Sequence, residues 1–321
     1  MVARIISIPL IAAALVAAST HAFGQAFPSK PIRVMVPFGP GAPSDAVIRY
    51  MADRVTKMTG AVFVIDNRVG ANGMLAARET AKAAPDGYTM MISSNSAHAA
   101  NVYLYKELGY DPVKDFAPIT GLTKNPHVLV MRSSLPAQNL KEFIEYAKAN
   151  PGKLNFGAGN TGAIGIAGLL MSTTGFTAQA VSYKSPPPAV LDLVAGRIDF
   201  TSIDYFVVAE FIKTGQLRAL GVTSTTRLKA LPDVAPIADT YPGFELLGWL
   251  ATFAPAGTPP NIVAHLNKMF TDVLKTPEAE DHFERQGMQI FASTPEVLGA
   301  FVQEQIVKWR DVLTKAGVER Q

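Results

Sequence analysis

The sequence predicts an α/β fold with two lobes, each a mainly parallel sheet flanked by helices, and a ligand cleft between the lobes. Short apolar runs alternate with amphipathic helical patterns along most of the chain, and this alternation is typical of βαβ units. The pattern starts afresh near residue 154, and 321 residues are enough for two domains. In such sheets, ligands bind beyond the carboxyl ends of the strands.

The first βα unit contains the loop on which the functional prediction depends. Residues 32–36 are an apolar run that predicts a buried strand, and residues 37–43 are rich in proline and glycine. From Ala46 the apolar residues follow helical spacing, and Ser44 is predicted to be the N-cap of that helix. Free N–H groups and the helix dipole then face the end of the strand. We expect this loop to hold the carboxylate of a small ligand; an ordinary βα loop is the alternative.

The remaining elements are predicted from the same periodicity and turn signals. In the first half we expect strands at 61–65 and 88–92, a helix at 74–84 and a polar loop at 93–98. In the second half we expect strands at 126–131, 154–156, 180–183, 198–203 and 217–223, and helices at 140–149, 163–173, 189–195 and 206–214. A glycine loop at 157–162 and a proline-rich turn at 185–188 join some of these. A strand at 246–253 returns to the first domain, and helices at 262–276 and 295–316 end the chain.

Residues 1–26 are predicted to be a secretory signal peptide. Arg4 precedes an apolar stretch, 5–18, that is too short to span a membrane, and small residues at 22–26 offer a cleavage site. A buried N-terminal helix is the alternative. We expect an exported, soluble mature protein whose first lobe comprises 27–126 plus 248–321 and whose second lobe comprises 127–247.

Composition and motifs argue against several classes of function. The chain has no cysteine, and its net charge of +3 is close to balance, so we expect neither thiol chemistry nor nucleic-acid binding. It has no P-loop, no nucleophile elbow and no histidine at metal-ligand spacing. Residues 157–162 match Gly-x-Gly-x-x-Gly, but the next strand lacks the acid that binds a ribose. We therefore expect an anion at that loop, no cofactor, no metal and no catalytic residue.

Three ionisable residues in the predicted loops have roles that the sequence leaves open. Asp45 either serves the ligand or caps its helix, and His98 is expected to hydrogen-bond rather than to catalyse. Asp204 ends an apolar strand, where its charge would repel a carboxylate ligand. It could tie down its own turn, hold an ammonium or hydroxyl group of the ligand, or hydrogen-bond to a protonated acid or a water. We favour the last two.

Over nearly all of the mature chain, the sequence resembles the exported solute-binding proteins of tripartite tricarboxylate transporters, often called Bug receptors. The resemblance is carried by the order and spacing of short motifs: Pro28-Ser-Lys-Pro-Ile-Arg33, Val36-Pro-Phe38 with Asp45, Asp66-Asn-Arg68 with Gly70-Ala71 and Gly73, Ala84-Pro-Asp-Gly-Tyr-Thr89, Asp115-Phe-Ala-Pro-Ile119, Tyr183-Lys184, Leu231-Pro-Asp-Val234, Trp249, Ala254-Pro-Ala-Gly-Thr-Pro259 and Lys308-Trp309.

The resemblance implies a type II-like periplasmic binding protein whose two lobes close on a carboxylate. Together with the loop analysis it gives the expected ligand-binding residues: Phe38, Gly41, Ser44, Asp45, Ser94, Asn95, Ser96, His98, Gly159, Asn160, Thr161, Lys184 and Asp204. The sequence departs from the family at Pro43, which removes one N–H donor, and at 185–188, where the family commonly has a glycine after the lysine. Both departures affect the ligand pose more than the fold.

The function that the resemblance implies is capture of a small organic carboxylate, or a related polar or aromatic acid, in the periplasm. The expected partners are the ligand and the membrane permease subunits of a tripartite tricarboxylate-type transporter, with the receptor a monomer. Closure is expected at the segments near 126–131 and 246–253. A receptor for a signalling partner and an exported enzyme on the same fold are the alternatives.

Overall fold

A computed structural model describes residues 27–320; the predicted signal peptide lies outside them. The first part of the chain contains β1 (Ile32–Val36), α1 (Pro43–Thr59), β2 (Phe63–Asn67), α2 (Met74–Ala81), β3 (Thr89–Ser94), a π-helical turn (Ser96–Ala100), α3 (Asn101–Leu104) and β4 (Phe116–Arg132). The middle contains α4 (Leu140–Ala149), β5 (Leu154–Ala158), α5 (Thr161–Thr174), β6 (Ala178–Ser182), α6 (Pro186–Val194), β7 (Phe200–Asp204), α7 (Tyr205–Lys213) and β8 (Leu217–Val222). The last part contains β9 (Leu247–Pro255), α8 (Pro260–Leu274), α9 (Pro277–Arg285), β10 (Gln289–Ile290) and α10 (Pro295–Lys315), and single 3₁₀ turns lie at Ala71–Gly73 and Ile237–Asp239.

The strands form two sheets that share one strand. The first has the order β2-β1-β3-β9-β4-β10, and the second has the order β6-β5-β7-β4-β8. Parallel pairing joins β1 to its two neighbours and β5 to its two neighbours. Every antiparallel pair between named strands involves β4 or β9, so each sheet has a parallel βαβ part beside a long crossing strand.

Strand β4 passes from one sheet into the other. Its residues up to Pro126 pair with β9, and from His127 onward it pairs with β7 and β8. Strand β9 begins at Leu247, opposite Pro126, so the chain re-enters the first sheet at the level where β4 leaves it. The two lobes are therefore joined through continuous backbone rather than through a flexible linker.

The C-terminal helix α10 also contacts both lobes. It packs against the π-helical turn and β4 as well as against α5, and Trp309 is fully buried in a core that includes Met35 and Phe200 from opposite lobes. Its approach to α5 is close at Gly168, where a Cβ would clash with Ala316. The lack of a side chain at Gly168 thus permits the close contact between the two helices.

Three sequence predictions of local structure need correction. Helix α1 begins at Pro43 with Ala42 at its N-cap and no side-chain cap, because the fixed φ of proline suits the first helical position; Ser44 is therefore not the N-cap. The stretch 185–188 is not a separate turn, because α6 begins at Pro186 for the same reason. Helix α9, which lies between the helices expected at 262–276 and 295–316, was not predicted from the sequence.

Strand limits also differ from those predicted. The second strand ends at Asn67 instead of 65, and the third ends at Ser94 instead of 92. The crossing strand β4 begins ten residues earlier than expected, at Phe116. Within residues 27–320, no helix has both the length and the apolar character that crossing a membrane requires.

The α5–α10 contact predicts opposite effects for two helical Gly→Ala substitutions. Gly168→Ala should lower the free energy of unfolding by about 1–3 kcal/mol, because its Cβ overpacks against Ala316. Gly299→Ala in α10, whose Cβ would lie 3.7 Å from Pro118, should raise it by about 0.5–1 kcal/mol through helix propensity. Urea denaturation measures both; equal effects in the two variants would contradict the close approach.

Candidate functional site

The two lobes enclose a cavity against the crossing strands. The space in it that a water-sized sphere can occupy is about 20 Å³, so the cavity between the closed lobes has room for about one water molecule. Its wall comes from the N-termini of α1, α5 and α6, the ends of β3 and β7, the middle of β4 and the beginning of β9. The lining residues are Phe38, Pro43, Ser44, Ser94, Asn95, Ser96, Asn125, His127, Asn160, Pro186, Asp204, Gly248, Trp249 and Leu250.

Ser44 supplies one of the polar groups of the first-lobe wall that have no protein partner; Asn125 Oδ1 and Trp249 Nε1 are others. Ser44 is 1% exposed, and its hydroxyl makes no hydrogen bond with the described residues of the chain. Its backbone N–H is in the first turn of α1, where helical amides have no carbonyl to bind. An unpaired buried polar group is costly, so a ligand that hydrogen-bonds to the Ser44 hydroxyl would be stabilised.

Asp45 holds the loop and does not line the cavity. Its carboxylate accepts hydrogen bonds from the Gly41 amide at 3.1 Å, from Arg49 Nε at 2.9 Å and from Asn67 Nδ2 at 2.9 Å. Burial by itself raises the pKa of Asp45, but the hydrogen bonds from Arg49, Asn67 and Gly41 lower the pKa overall. Asp45 therefore remains ionised and fixes the conformation of the segment before Ser44.

Hydrogen bonds between the lobes hold the cavity closed. Asn95 Nδ2 donates to Thr161 Oγ1 at 3.0 Å, and the hydroxyls of Ser96 and Thr161 share a hydrogen bond at 2.9 Å. On another side of the cavity, the Gly39 amide donates to Ser185 Oγ at 3.2 Å. Thr161, at the N-terminus of α5, thus links the second lobe to two residues of the first lobe by hydrogen bonds.

The second-lobe wall depends on the end of β5. Asn160 is the N-cap of α5, and its side chain accepts a hydrogen bond from the Ala163 amide at 2.9 Å. A Cβ at position 159 would lie 2.7 Å from the Cα of Pro186. Gly159 therefore allows α6 to approach, and its role is to shape the wall.

The floor of the cavity carries Asn125, His127 and Asp204. His127 and Asp204 are directly opposite in the β4–β7 pair, and Asn125 lies two residues earlier on β4, so all three side chains point to the same face. Asn125 Nδ2 donates to Asp204 Oδ1 at 2.7 Å, and His127 Nε2 lies 3.8 Å from Asp204 Oδ2. Asp204 does not cap its own helix.

Burial shifts the pKa of both ionisable groups on this floor. It raises the pKa of Asp204, with His127 and Asn125 opposing the shift. It lowers the pKa of His127, with Asp204 opposing. Within the described residues that line the cavity there is no lysine, arginine or glutamate. The charge of the cavity is therefore set by these two residues.

The structure divides the predicted ligand-binding residues into two groups. Those that line the cavity are Phe38, Ser44, Ser94, Asn95, Ser96, Asn160 and Asp204, and those that do not are Gly41, Asp45, His98, Gly159, Thr161 and Lys184. Gly41 and Lys184 are exposed. His98 is buried behind the cavity, stacked on Phe253 with Nδ1 at 2.7 Å from Ser93 Oγ, and burial lowers its pKa to about 3. It is neutral, as a hydrogen-bonding role requires.

Sequence reasoning missed part of the wall: Pro43, Asn125, His127, Pro186, Gly248, Trp249 and Leu250. Asn125 and His127 carried no local signal, since the same strand also contains Thr123 and Lys124. Among residues 27–320, no cluster of three His, Cys, Asp or Glu side chains is arranged to hold a metal ion.

The fold and this interlobe cavity define a two-lobed solute-binding protein, as predicted. A family model described as "Tripartite tricarboxylate transporter family receptor" (TctC) matches residues 47–318. Because the match covers most of the chain, this protein belongs to that receptor family, and the resemblance to Bug receptors is confirmed.

Individual relatives support the same conclusion. BugT of Bordetella pertussis is 33% identical over 313 residues, which cover 96% of this chain and 95% of BugT. The structure of R. palustris Rpa4515 with adipate has a TM-score of 0.90 and 31% identity, covering 92% of this chain and 100% of that one. MatC from Rhodopseudomonas palustris with bound malate has a TM-score of 0.83 and 32% identity, covering 89% and 100%.

The interlobe hydrogen bonds predict a difference between two substitutions of one residue. Thr161→Ala leaves Asn95 and Ser96 without their partner across the cleft, and it should weaken ligand binding by about 1–3 kcal/mol. Thr161→Ser keeps the hydroxyl and should bind with nearly wild-type affinity. Isothermal titration with the same carboxylate measures both variants. Equal affinities for the two would show that Thr161 does not fasten the lobes.

Proposed function

We propose that this protein is an exported periplasmic receptor that captures a small organic carboxylate between its lobes and delivers it to the membrane subunits of a tripartite tricarboxylate-type transporter. The observation that carries the proposal is Ser44: a buried hydroxyl and a first-turn amide, both without a protein partner, face an enclosed cavity. This arrangement suits an anion at a helix N-terminus.

The electrostatics of the wall support a carboxylate held by neutral donors. The N-termini of α1 and α5 meet at the cavity, so the positive ends of two helix dipoles lie close to the ligand position. Helix α6 also begins at the cavity, but its first three residues, Pro186 to Pro188, have no N–H to donate. Hydrogen bonds to an ionised acceptor are stronger than neutral ones, so the serine hydroxyls and amides compensate for the absence of cations among the described lining residues.

The relatives support the chemical class of the ligand. Rpa4515 is described with adipate and MatC with bound malate, and both are small carboxylates. Neither identifies the ligand of this chain. We propose a small acid of the same class as the ligand of this chain. Because the free space between the closed lobes is only about 20 Å³, the lobes must separate to admit it.

The proposed capture and delivery of a ligand match the description of the transporter receptor family to which the chain belongs. BugD, which is 30% identical to this chain, is described as a periplasmic binding protein. We propose the same for this chain, with cleavage of the predicted signal peptide and a monomeric mature receptor. Pull-down with the permease subunits distinguishes delivery to a transporter from the alternative of a sensor partner.

We propose the crossing strands as the hinge between the two lobes. The first lobe comprises 27–126 plus 248–320, and the second comprises 127–247. Both boundaries fall beside the Pro126–Leu247 pair, where β4 leaves the first sheet and β9 begins. The closed form has the interlobe hydrogen bonds of Thr161 and Ser185, and rotation about the crossing strands would break them without disrupting either sheet.

The proposed capture of a carboxylate predicts a defined loss in Ser44→Ala. A thermal-shift screen of mono- and dicarboxylates should find ligands that raise the melting temperature, since a ligand that binds only the native state stabilises it. Removing the Ser44 hydroxyl should cost about 1–3 kcal/mol of affinity for such a ligand. The control is Ser29→Ala, since Ser29 is at the surface and bonds to Tyr88. Wild-type affinity in Ser44→Ala would remove this residue from the site.

Closure predicts a change in molecular size on binding. Small-angle scattering should give a smaller radius of gyration with saturating ligand than without it, because ligand contacts from both lobes favour the closed form. The Thr161→Ala variant should show a smaller change. Identical profiles with and without ligand in the wild-type protein would contradict a hinge at β4 and β9.

A further inference from the structure

We propose that His127 and Asp204 form a proton-accepting pair on the cavity floor, and that the pair admits a second carboxylate on the ligand only with the uptake of one proton. The inference rests on the proposed binding of a carboxylate and adds the chemistry of the ligand's far end. The first carboxylate lies at Ser44, and the second faces the pair.

The His127–Asp204 pair is buried and is contacted by residues on several sides. His127 and Asp204 are 3% and 4% exposed. The imidazole is packed between two glycines: a Cβ at Gly162 or at Gly248 would lie 3.2 Å from His127 Nε2. Asn125 fixes one carboxylate oxygen of Asp204, which leaves Oδ2 on the side of the imidazole, at 3.8 Å. This separation exceeds a hydrogen bond, so neither group satisfies the other.

The groups that face the pair carry no charge. They are Asn125 on β4, Thr223 after β8, Gly248 and Trp249 on β9, Asn160 and Gly162 at α5, and Ser44 on α1. Lys124 points to the opposite face of β4, with its ammonium 4.6 Å from the centroid of the Phe291 ring. Tyr205 on α7 packs toward Gly287, and the Asp45 carboxylate is already paired with Arg49.

A second ligand carboxylate in this place would meet the Asp204 carboxylate in an enclosed, poorly screened space. Like charges there strongly disfavour the doubly ionised state. One proton taken from solvent, held on Asp204 Oδ2 or His127 Nε2, removes the excess negative charge and supplies a hydrogen-bond donor to the ligand. Burial of Asp204, which raises its pKa, favours the same protonated state.

The sign of the pH dependence follows from this linkage. Below the pKa of the ligand-free pair the proton is already bound, and affinity does not vary with pH. Above it, binding of a dicarboxylate requires proton uptake, so affinity falls by about tenfold per pH unit as the pH rises. A ligand with one carboxylate and a neutral far end requires no proton, and its affinity stays constant.

Titration calorimetry with adipate and its monomethyl ester tests this directly. The two ligands have the same chain and one carboxylate in common, and they differ in the charge at the far end. Measurements over about pH 6–8.5, in buffers with different ionisation enthalpies, give the number of protons taken up. We expect nearly one proton for adipate at the upper end of this range and none for the ester. The same comparison with succinate and its monoester covers a shorter chain.

Asp204→Asn tests whether the negative charge of Asp204 is what requires the proton. This variant should bind the dicarboxylate without proton uptake and without the loss of affinity at high pH, while Asp53→Asn, on the exposed side of α1, should behave as wild type. If the monoester binds but the dicarboxylate binds without proton uptake, or with uptake that persists in Asp204→Asn, the pair has no such role. Binding of monoesters with no binding of either dicarboxylate at any pH would also overturn it. If neither class of ligand binds, the proposed carboxylate function itself fails.

Discussion

Strand β4 is shared by the two sheets, and the position of every cavity element follows from this shared backbone. Its first part pairs with β9, and its last part pairs with β7 and β8. The side chains at the crossover, Asn125 and His127, therefore lie beneath the cleft and face both lobes. The β4–β7 pairing also brings Asp204, which is 77 residues beyond His127 in the sequence, directly opposite it.

The carboxylates of Asp45, beside the cavity, and Asp204, on its floor, have different electrostatic surroundings. Asp45 lies beside it with Arg49, Asn67 and Gly41 as partners, which lower its pKa despite burial. Asp204 has Asn125 as its side-chain hydrogen-bond donor and His127 at a longer distance, and burial outweighs them and raises its pKa. One carboxylate is thus part of the scaffold, while the other remains available to the ligand and to a proton.

The fold and much of the first-lobe wall could be predicted from sequence because their signals are local. Apolar runs, helical spacing and proline or glycine loops located β1, α1, β3 and α5, and the loops after them contributed Phe38, Ser44 and Asn160 to the wall. The position of Ser44 inside the helix was missed because Pro43 was treated as a loop residue rather than as the first residue of α1.

The rest of the site could not be predicted because it depends on strand pairing across the lobes. Nothing local distinguishes His127 from any polar residue in a strand, and its contact with Asp204 exists only through the register of β4 and β7. Thr161 likewise looked like a residue that touches ligand, whereas its hydroxyl bonds to Asn95 and Ser96 from the other lobe. Its predicted ligand contact remains a prediction.

The central claim is that the enclosed cavity beneath Ser44 is where a carboxylate binds. A crystal structure of the mature chain grown with a dicarboxylate that stabilises it tests this claim most directly. We expect electron density for the ligand between the lobes, with one carboxylate within hydrogen-bond distance of both the amide and the hydroxyl of Ser44. Ligand density outside the cavity, or a bound carboxylate that makes no contact with Ser44, would contradict it.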